Sequence, residues 1–235
     1  MLCYNPNMNI CGIEKVSLVD FDGYVSTVLF CGGCNFACPF CHNGGLVKEI
    51  AHAIPPEEVF DHLVKRKKVL DAVVVSGGEP TLQSDLLPFL KQIKEMGFKT
   101  KLDTNGTNFE VLRQAIEQRL VDYVAMDVKN STSAYCKTTG MQDFDLSQVL
   151  SSINLLKTAE IDCEFRTTLV REFHTQETIR DMAQMLTGAK KLFLQKFKES
   201  PNCLSGGLSP VPQDQAEIFA EILRKTVSRV TLRGY

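Results

Sequence analysis

The chain has 235 residues, a net charge of −2, 44% hydrophobic and 23% charged side chains. Such a length and apolar content suit one domain with a sizeable core, and the near-neutral balance excludes a broadly basic nucleic-acid-binding protein. No apolar run approaches the ~18 residues of a membrane span, and the opening MLCYNPNMNICGIEK has no basic patch followed by an apolar stretch, so neither a span nor a signal peptide is expected.

From residue 24 onward, β-branched apolar runs alternate with amphipathic helical patterns. The patterns predict a strand at 24–30, a helix at 56–67, a strand at 72–76, a helix at 82–96, a strand at 99–103 and a helix at 109–118. There follow a strand at 123–127, a helix at 146–159, a strand at 163–169, a helix at 176–186, a strand at 191–197, a helix at 213–227 and a short last strand at 229–233. Pro55-Pro56-Glu57-Glu58 puts proline and acid in a first turn, and Gly97 closes the second helix. There is no repeat, low-complexity tract or linker; the least regular piece is 199–212, rich in Ser, Gly and Pro. Repeated strand–helix units mean a parallel α/β architecture. Six units plus a terminal strand fall short of the eight of a closed barrel, and in such folds chemistry sits at the C-terminal ends of the strands.

The chain contains no tryptophan and nine cysteines: Cys3, Cys11, Cys31, Cys34, Cys38, Cys41, Cys136, Cys163 and Cys203. An unsecreted chain is expected to use few of them in disulfides. Four fall in FCGGCNFACPFCHNGG, which argues for a metal site. Zinc is one candidate, since Cys31-x2-Cys34 and Cys38-x2-Cys41 look like two knuckles. Zinc ribbons separate such knuckles by about 12–20 residues, whereas only Asn35, Phe36 and Ala37 intervene here. A four-cysteine iron–sulfur centre is another, but the order does not match the bacterial ferredoxin run. A third uses only Cys34-x3-Cys38-x2-Cys41. Three thiolates on a [4Fe–4S] cube leave one iron open to a substrate or cofactor, as in an open catalytic metal site. Cys31 is then a non-ligand, and Cys136, Cys163 and Cys203, with no compact spacing, read as buried thiols rather than ligands of an auxiliary cluster.

The other strand ends carry unusual residues as well. After the second predicted strand comes Ser76-Gly77-Gly78-Glu79-Pro80. Two glycines let a backbone approach a ligand closely, or simply make a turn. The next two ends carry Asp103-Thr104-Asn105-Gly106, a good turn signal, and Met126-Asp127-Val128-Lys129, which by itself could be a solvated pair. Arg166 lies among apolar neighbours on the fifth strand and needs an anion, either a strand-end acid or a cofactor group. His42 either tunes a metal centre or caps the loop, while His52, His62 and His174 belong to no constellation and read as surface or helix residues.

The Cys34-x3-Cys38-x2-Cys41 run, with Phe40 before its last cysteine, resembles the signature of radical S-adenosylmethionine enzymes. The resemblance implies a partial (β/α)6 TIM-like barrel, in a single domain over residues 1–235 with 1–23 as an N-terminal extension and 199–212 as an irregular loop. It also implies that S-adenosylmethionine chelates the open iron and is cleaved reductively to a 5′-deoxyadenosyl radical. By the same resemblance, Gly77, Gly78 and Glu79 match a cofactor-binding GGE motif, and Phe40, Asp103, Asn105, Lys129 and Arg166 are cofactor contacts. The DTNG and D-x-K strings are similar to those of glycyl-radical activating enzymes, where they imply a monovalent cation held by Asp103, Thr104 and Asp127. The opening stretch from Gly12 to Gly23, the loop CNFACPFCHN and the ending Val230-Thr231-Leu232-Arg233-Gly234 look like activating proteins of anaerobic ribonucleotide reductase. Phe21 and Asp22 stand where that group has an aromatic–proline pair. The implied substrate is a glycine Cα–H on a partner glycyl radical enzyme. The implied electron donor is a reducing flavodoxin or ferredoxin, and the implied setting is cytoplasmic, with no nucleic-acid or membrane partner. Kept open beside this are activation of pyruvate formate-lyase or another glycyl radical enzyme, a small-molecule radical enzyme, and a zinc or electron-transfer module.

Overall fold

The computed structural model describes residues 8–48 and 52–235, so Cys3 lies outside the described residues. In chain order the elements are β1 (Ile10–Ser17), β2 (Ser26–Cys31), α1 (Gly44–Lys48), α2 (Pro56–Arg66), β3 (Ala72–Gly77), α3 (Leu86–Glu95), β4 (Lys99–Thr104) and α4 (Phe109–Glu117). They continue with β5 (Tyr123–Asp127), α5 (Tyr135–Thr139), α6 (Ser147–Thr158), β6 (Asp162–Leu169), α7 (Gln176–Met185), β7 (Lys191–Lys196), α8 (Gln213–Leu223) and β8 (Arg229–Arg233). The eight strands hydrogen-bond in sequence order, beginning at β1 and ending at β8, so the sheet does not close. From β2 onward the connectivity is six strand–helix repeats and a terminal strand, the α/β class that the apolar periodicity predicts.

The chain divides into two compact units. The first comprises Met1–Asn35, Gly45–Thr104 and Asn108–Val124. In it β1 runs antiparallel to β2, and β2–β3 and β3–β4 are parallel. The continuous β-branched run of β3 is buried from Ala72 to Val75, as expected for a strand covered on both faces. α2 begins with Pro56 and two acids and ends on Lys65 and Arg66, complementing the helix dipole. Its Val59 and Leu63, with Phe89, Leu90 and Ile93 of α3, are buried, each apolar side chain contributing about 1.5–3 kcal/mol on burial.

Two features of this unit depart from the sequence pattern. β1 falls in a stretch without apolar alternation: only Ile10 and Ser17 are buried, and register shifts flank its central residues. An edge strand needs no buried face, so period-two patterning does not reveal it. The helix predicted over 82–96 is also shorter. Pro80–Leu82 forms a separate 3-10 turn, Gln83 is extended, and α3 starts at Leu86.

The second unit comprises Phe36–Gly44, Asn105–Thr107 and Ala125–Tyr235. Here β6–β7 and β7–β8 are parallel. Phe165, Leu169, Leu192 and Leu194 on the strands are buried, as are Val149, Ile153, Ile179, Met182, Phe219 and Leu223 on α6, α7 and α8. Thr175 and Thr178 close a reciprocal capping box at the start of α7. Between β7 and α8, residues 197–212 carry no helix or strand apart from a bridge between Pro210 and Val170.

Candidate active site

In the first unit the strand ends are tied by backbone and side-chain bonds. The Gly78 amide donates to the Cys31 carbonyl at 2.8 Å, and the Glu79 amide donates to the Gly33 carbonyl at 2.9 Å. Gly77 has φ +113°, and a Cβ added there would lie 2.3 Å from Cys31 N. One added at Gly78 would lie 1.9 Å from the Gly33 carbonyl oxygen. The two glycines are therefore required by the close approach of this turn to the start of the cysteine loop. Their neighbour Glu79 is fully buried. Its Oε1 accepts from the Thr81 amide at 3.1 Å, the Thr81 hydroxyl at 2.6 Å and the Thr104 hydroxyl at 2.7 Å. It thus starts the 3-10 turn and clips the end of β4 to the end of β3.

Asp103 accepts from Ser76 Oγ at 3.0 Å and faces the ammonium of Lys101 at 3.6 Å. Lys101 is itself buried, donates to the Asp20 carbonyl and lies 5.6 Å from the centre of the Tyr123 ring. The sequence gives no hint of this lysine, because a Lys on a strand ordinarily reads as a solvated end. Cys31 is fully buried, and burial, then the Glu79 carboxylate, push its thiol far up. Cys34, in this unit, is partly exposed.

The second unit carries the other two cysteines of the run. Cys38 is buried and Cys41 partly exposed, and the Cys41 amide donates to the Cys38 carbonyl at 3.0 Å. Asp127 at the end of β5 receives two cations: Arg166 Nε at 2.8 Å on Oδ1 and Lys129 Nζ at 2.9 Å on Oδ2. Burial pushes the Asp127 carboxyl up, but Arg166 and Lys129 outweigh it and hold the group at about 2. Burial opposes the charge on Lys129, and Asp127 together with Cys38 overcomes it, so the ammonium is retained well above its ordinary range. Burial likewise raises the Cys41 thiol, against a lowering by the Asn43 amide and by Lys129. One fixed cation therefore acts on both Cys38 and Cys41.

Lys129 is positioned through its backbone. Its carbonyl lies 3.0 Å from His174 Nε2, and its amide donates to Tyr135 Oη at 3.4 Å. His174 is almost fully buried, with Nδ1 3.1 Å from the Val170 amide, and burial lowers its pKa. This corrects its reading as a surface or helix residue: the histidine stands after β6, outside any regular element, and no local motif marks it. Asn105 accepts from the Thr107 amide and hydroxyl at 3.0 and 2.7 Å, the turn its sequence signals. Phe40 is buried, with ring centres of Phe173 and Phe197 at 6.0 and 6.5 Å.

None of the eight described cysteines forms a disulfide. Among the described residues no three His, Cys, Asp or Glu side chains converge on a single ion position. An iron–sulfur cube does not require such convergence, because each thiolate binds a different iron. The donor chemistry fits: two partly exposed thiols and one buried thiol, with a fixed cation acting on two of them. The implied monovalent cation fits less well. Asp127 already balances two protein cations, Asp103 faces Lys101, and a further positive charge beside them would meet repulsion.

The model of the radical SAM superfamily matches residues 28–186. A Methanocaldococcus jannaschii protein, provisionally named a glycyl-radical enzyme activating enzyme, is 33% identical over 233 residues, covering 95% of each chain. The pyruvate formate-lyase-activating enzyme of Clostridium pasteurianum is 35% identical over 130 residues, which is 50% of this chain and 51% of that one. The chain thus matches that relative over about half its length. Among solved structures, a radical SAM methyltransferase of Sphaerobacter thermophilus superposes with a TM-score of 0.71 at 15% identity, covering 91% of this chain and 67% of the other.

Proposed function

The chain belongs to the radical SAM superfamily, among the glycyl-radical enzyme activating enzymes, and on that premise we propose that it installs a glycyl radical on anaerobic ribonucleotide reductase. Its cofactors are a [4Fe–4S] cluster and S-adenosylmethionine. When bound and reduced, they supply a 5′-deoxyadenosyl radical able to take a hydrogen atom from a glycine Cα.

The chain's own residues do the rest. Cys34, Cys38 and Cys41 would hold the cluster, leaving one iron for S-adenosylmethionine. Gly77 and Gly78 allow the turn after β3 to lie against the Cys31–Gly33 backbone, and Glu79 fixes that turn to β4. Arg166 within β6 and Lys129 just past β5 present positive charge, suited to a carboxylate, with Asp127 setting the orientation of both. Phe40, held among aromatic rings, supplies an apolar wall. The observation that carries the reading is Lys129, whose charge acts on both Cys38 and Cys41 while its backbone is pinned by His174 and Tyr135.

The opening segment from Gly12 to Gly23 and the ending Val230–Gly234 support ribonucleotide reductase as partner. The likeness to pyruvate formate-lyase-activating enzymes supports a second reading, with pyruvate formate-lyase in that place. The electron donor is a reducing flavodoxin or ferredoxin, and the setting is the cytoplasm; among the described residues no helix is long and apolar enough to cross a membrane. Residues 1–235 act as one radical SAM domain, with β1 drawn from the 1–23 extension and 199–212 as an irregular loop. Anaerobic incubation with S-adenosylmethionine, a reductant and each candidate partner tests this. A glycyl-radical resonance with the reductase alone supports the proposal. A resonance with pyruvate formate-lyase alone moves the assignment to the second reading, and deoxyadenosine formation with no protein partner, on a small molecule, overturns both.

A further inference from the structure

We propose that the segment leaving β7, residues 197–205, is a clasp that fixes the Cys38–Cys41 limb of the cysteine loop, with His42 as its positioning residue. His42 immediately follows Cys41. Its ring lies parallel to Phe197, with centres 5.7 Å apart and planes 4° apart. Its Nε2 lies 2.5 Å from the Lys198 carbonyl oxygen. A carbonyl only accepts, so Nε2 carries the proton and donates. Two consecutive residues of the segment therefore hold one ring by its face and by its edge.

Two further contacts fix the same limb. The Ser205 amide donates to the Pro39 carbonyl at 2.9 Å. A Cβ added at Gly44 would lie 2.3 Å from the Asn202 carbonyl oxygen and 2.9 Å from Leu204 Cδ2, so only glycine admits this approach. Pro39 meets Ser205 and Gly44 meets Asn202, so Cys41 lies between the contact points. On its other side the limb is held by the Ala37 amide, which donates to the Thr139 carbonyl at 2.9 Å. The limb is thus fixed from both ends by protein contacts alone. A thiolate held in its ligating direction before iron arrives loses less freedom on binding, and partners outside the ligand set tune metal affinity about 10–100-fold.

The inference rests on cluster binding by Cys34, Cys38 and Cys41, and not on the identity of the protein partner. Holo-protein is prepared anaerobically, and iron release to a ferrous chelator is timed for wild type, His42→Ala, His42→Gln and His42→Phe. Gln keeps a donor near the Lys198 carbonyl, and Phe keeps the stack on Phe197. The Ala variant is expected to release iron about ten-fold faster, with Gln and Phe between it and wild type. The reduced-cluster resonance of the Ala variant should broaden, while thermal unfolding of its cluster-free form stays unchanged, because the replaced side chain is exposed. Release from the Ala variant within two-fold of wild type overturns the clasp. So does faster release matched by an equal loss of cluster-free stability, since general loosening then explains both. A wild-type protein that takes up no iron overturns the cluster reading itself, a result distinct from either.

Discussion

Replacing Glu79 with alanine is expected to destabilise the cluster-free protein by about 4–6 kcal/mol. The side chain is fully buried, and its Oε1 accepts three hydrogen bonds at 2.6, 2.7 and 3.1 Å. Truncation strands one backbone amide and two hydroxyls. A buried donor without a partner costs about 1–3 kcal/mol, and the low end applies to hydroxyls that can rotate. The one lost methylene adds about 0.8 kcal/mol. Glutamine keeps an oxygen in the same place and should cost only about 1–2 kcal/mol, because a neutral acceptor is weaker than an ionised one. The assay is urea unfolding followed by circular dichroism, without iron or S-adenosylmethionine, so that a cofactor contact cannot contribute. Thr104→Val closes a double-mutant cycle, with an expected coupling of about 1 kcal/mol or more. The reasoning fails if the alanine variant loses less than about 1 kcal/mol, or if glutamine is as damaging as alanine.

Serine in place of Cys34, Cys38 or Cys41 should each abolish retention of about four irons per chain, while Cys31→Ser and Cys203→Ser retain them, as iron and sulfide analysis will read. Asp127 is held at about 2 against an ordinary 3.8. Its depressed pKa contributes stability that is complete above the unfolded value and lost as pH falls through the folded one, a window from about pH 4 to 2 worth about 2 kcal/mol. Arg166→Ala should shrink that loss, measured by unfolding at several acidic pH values; an unchanged acid limb would remove Arg166 as its cause. Gly78→Ala places a Cβ 1.9 Å from the Gly33 carbonyl and should cost more than about 3 kcal/mol in the same unfolding assay; a near-wild-type midpoint would show that the turn can move away.

The strands with buried apolar runs were legible because β-branched residues at that density admit few other outcomes; β3 and β7 lie within one residue of their predicted ends. β1 was not, because an edge strand with exposed Glu14 and Lys15 carries no hydrophobic period. The cysteine run and the strand-end acids were readable as chemistry, yet their partners were not. Lys101, Tyr135 and His174 act across more than one element, and no spacing in one sequence encodes such contacts. Glu79 illustrates the limit most clearly. The motif around it points to a ligand, while its Oε1 accepts from Thr81 and Thr104 of its own unit.

The bond between His42 and Lys198 joins residues 156 positions apart. During synthesis at about 5–20 residues per second, the Cys38–Cys41 limb therefore emerges many seconds before the segment that holds it. For that interval the limb lacks its contacts with Phe197, Lys198 and Ser205. Orderly iron loading, as proposed, then belongs to the completed polypeptide, and a ribosome-released fragment ending before β7 would carry Cys34, Cys38 and Cys41 with one support of the run missing.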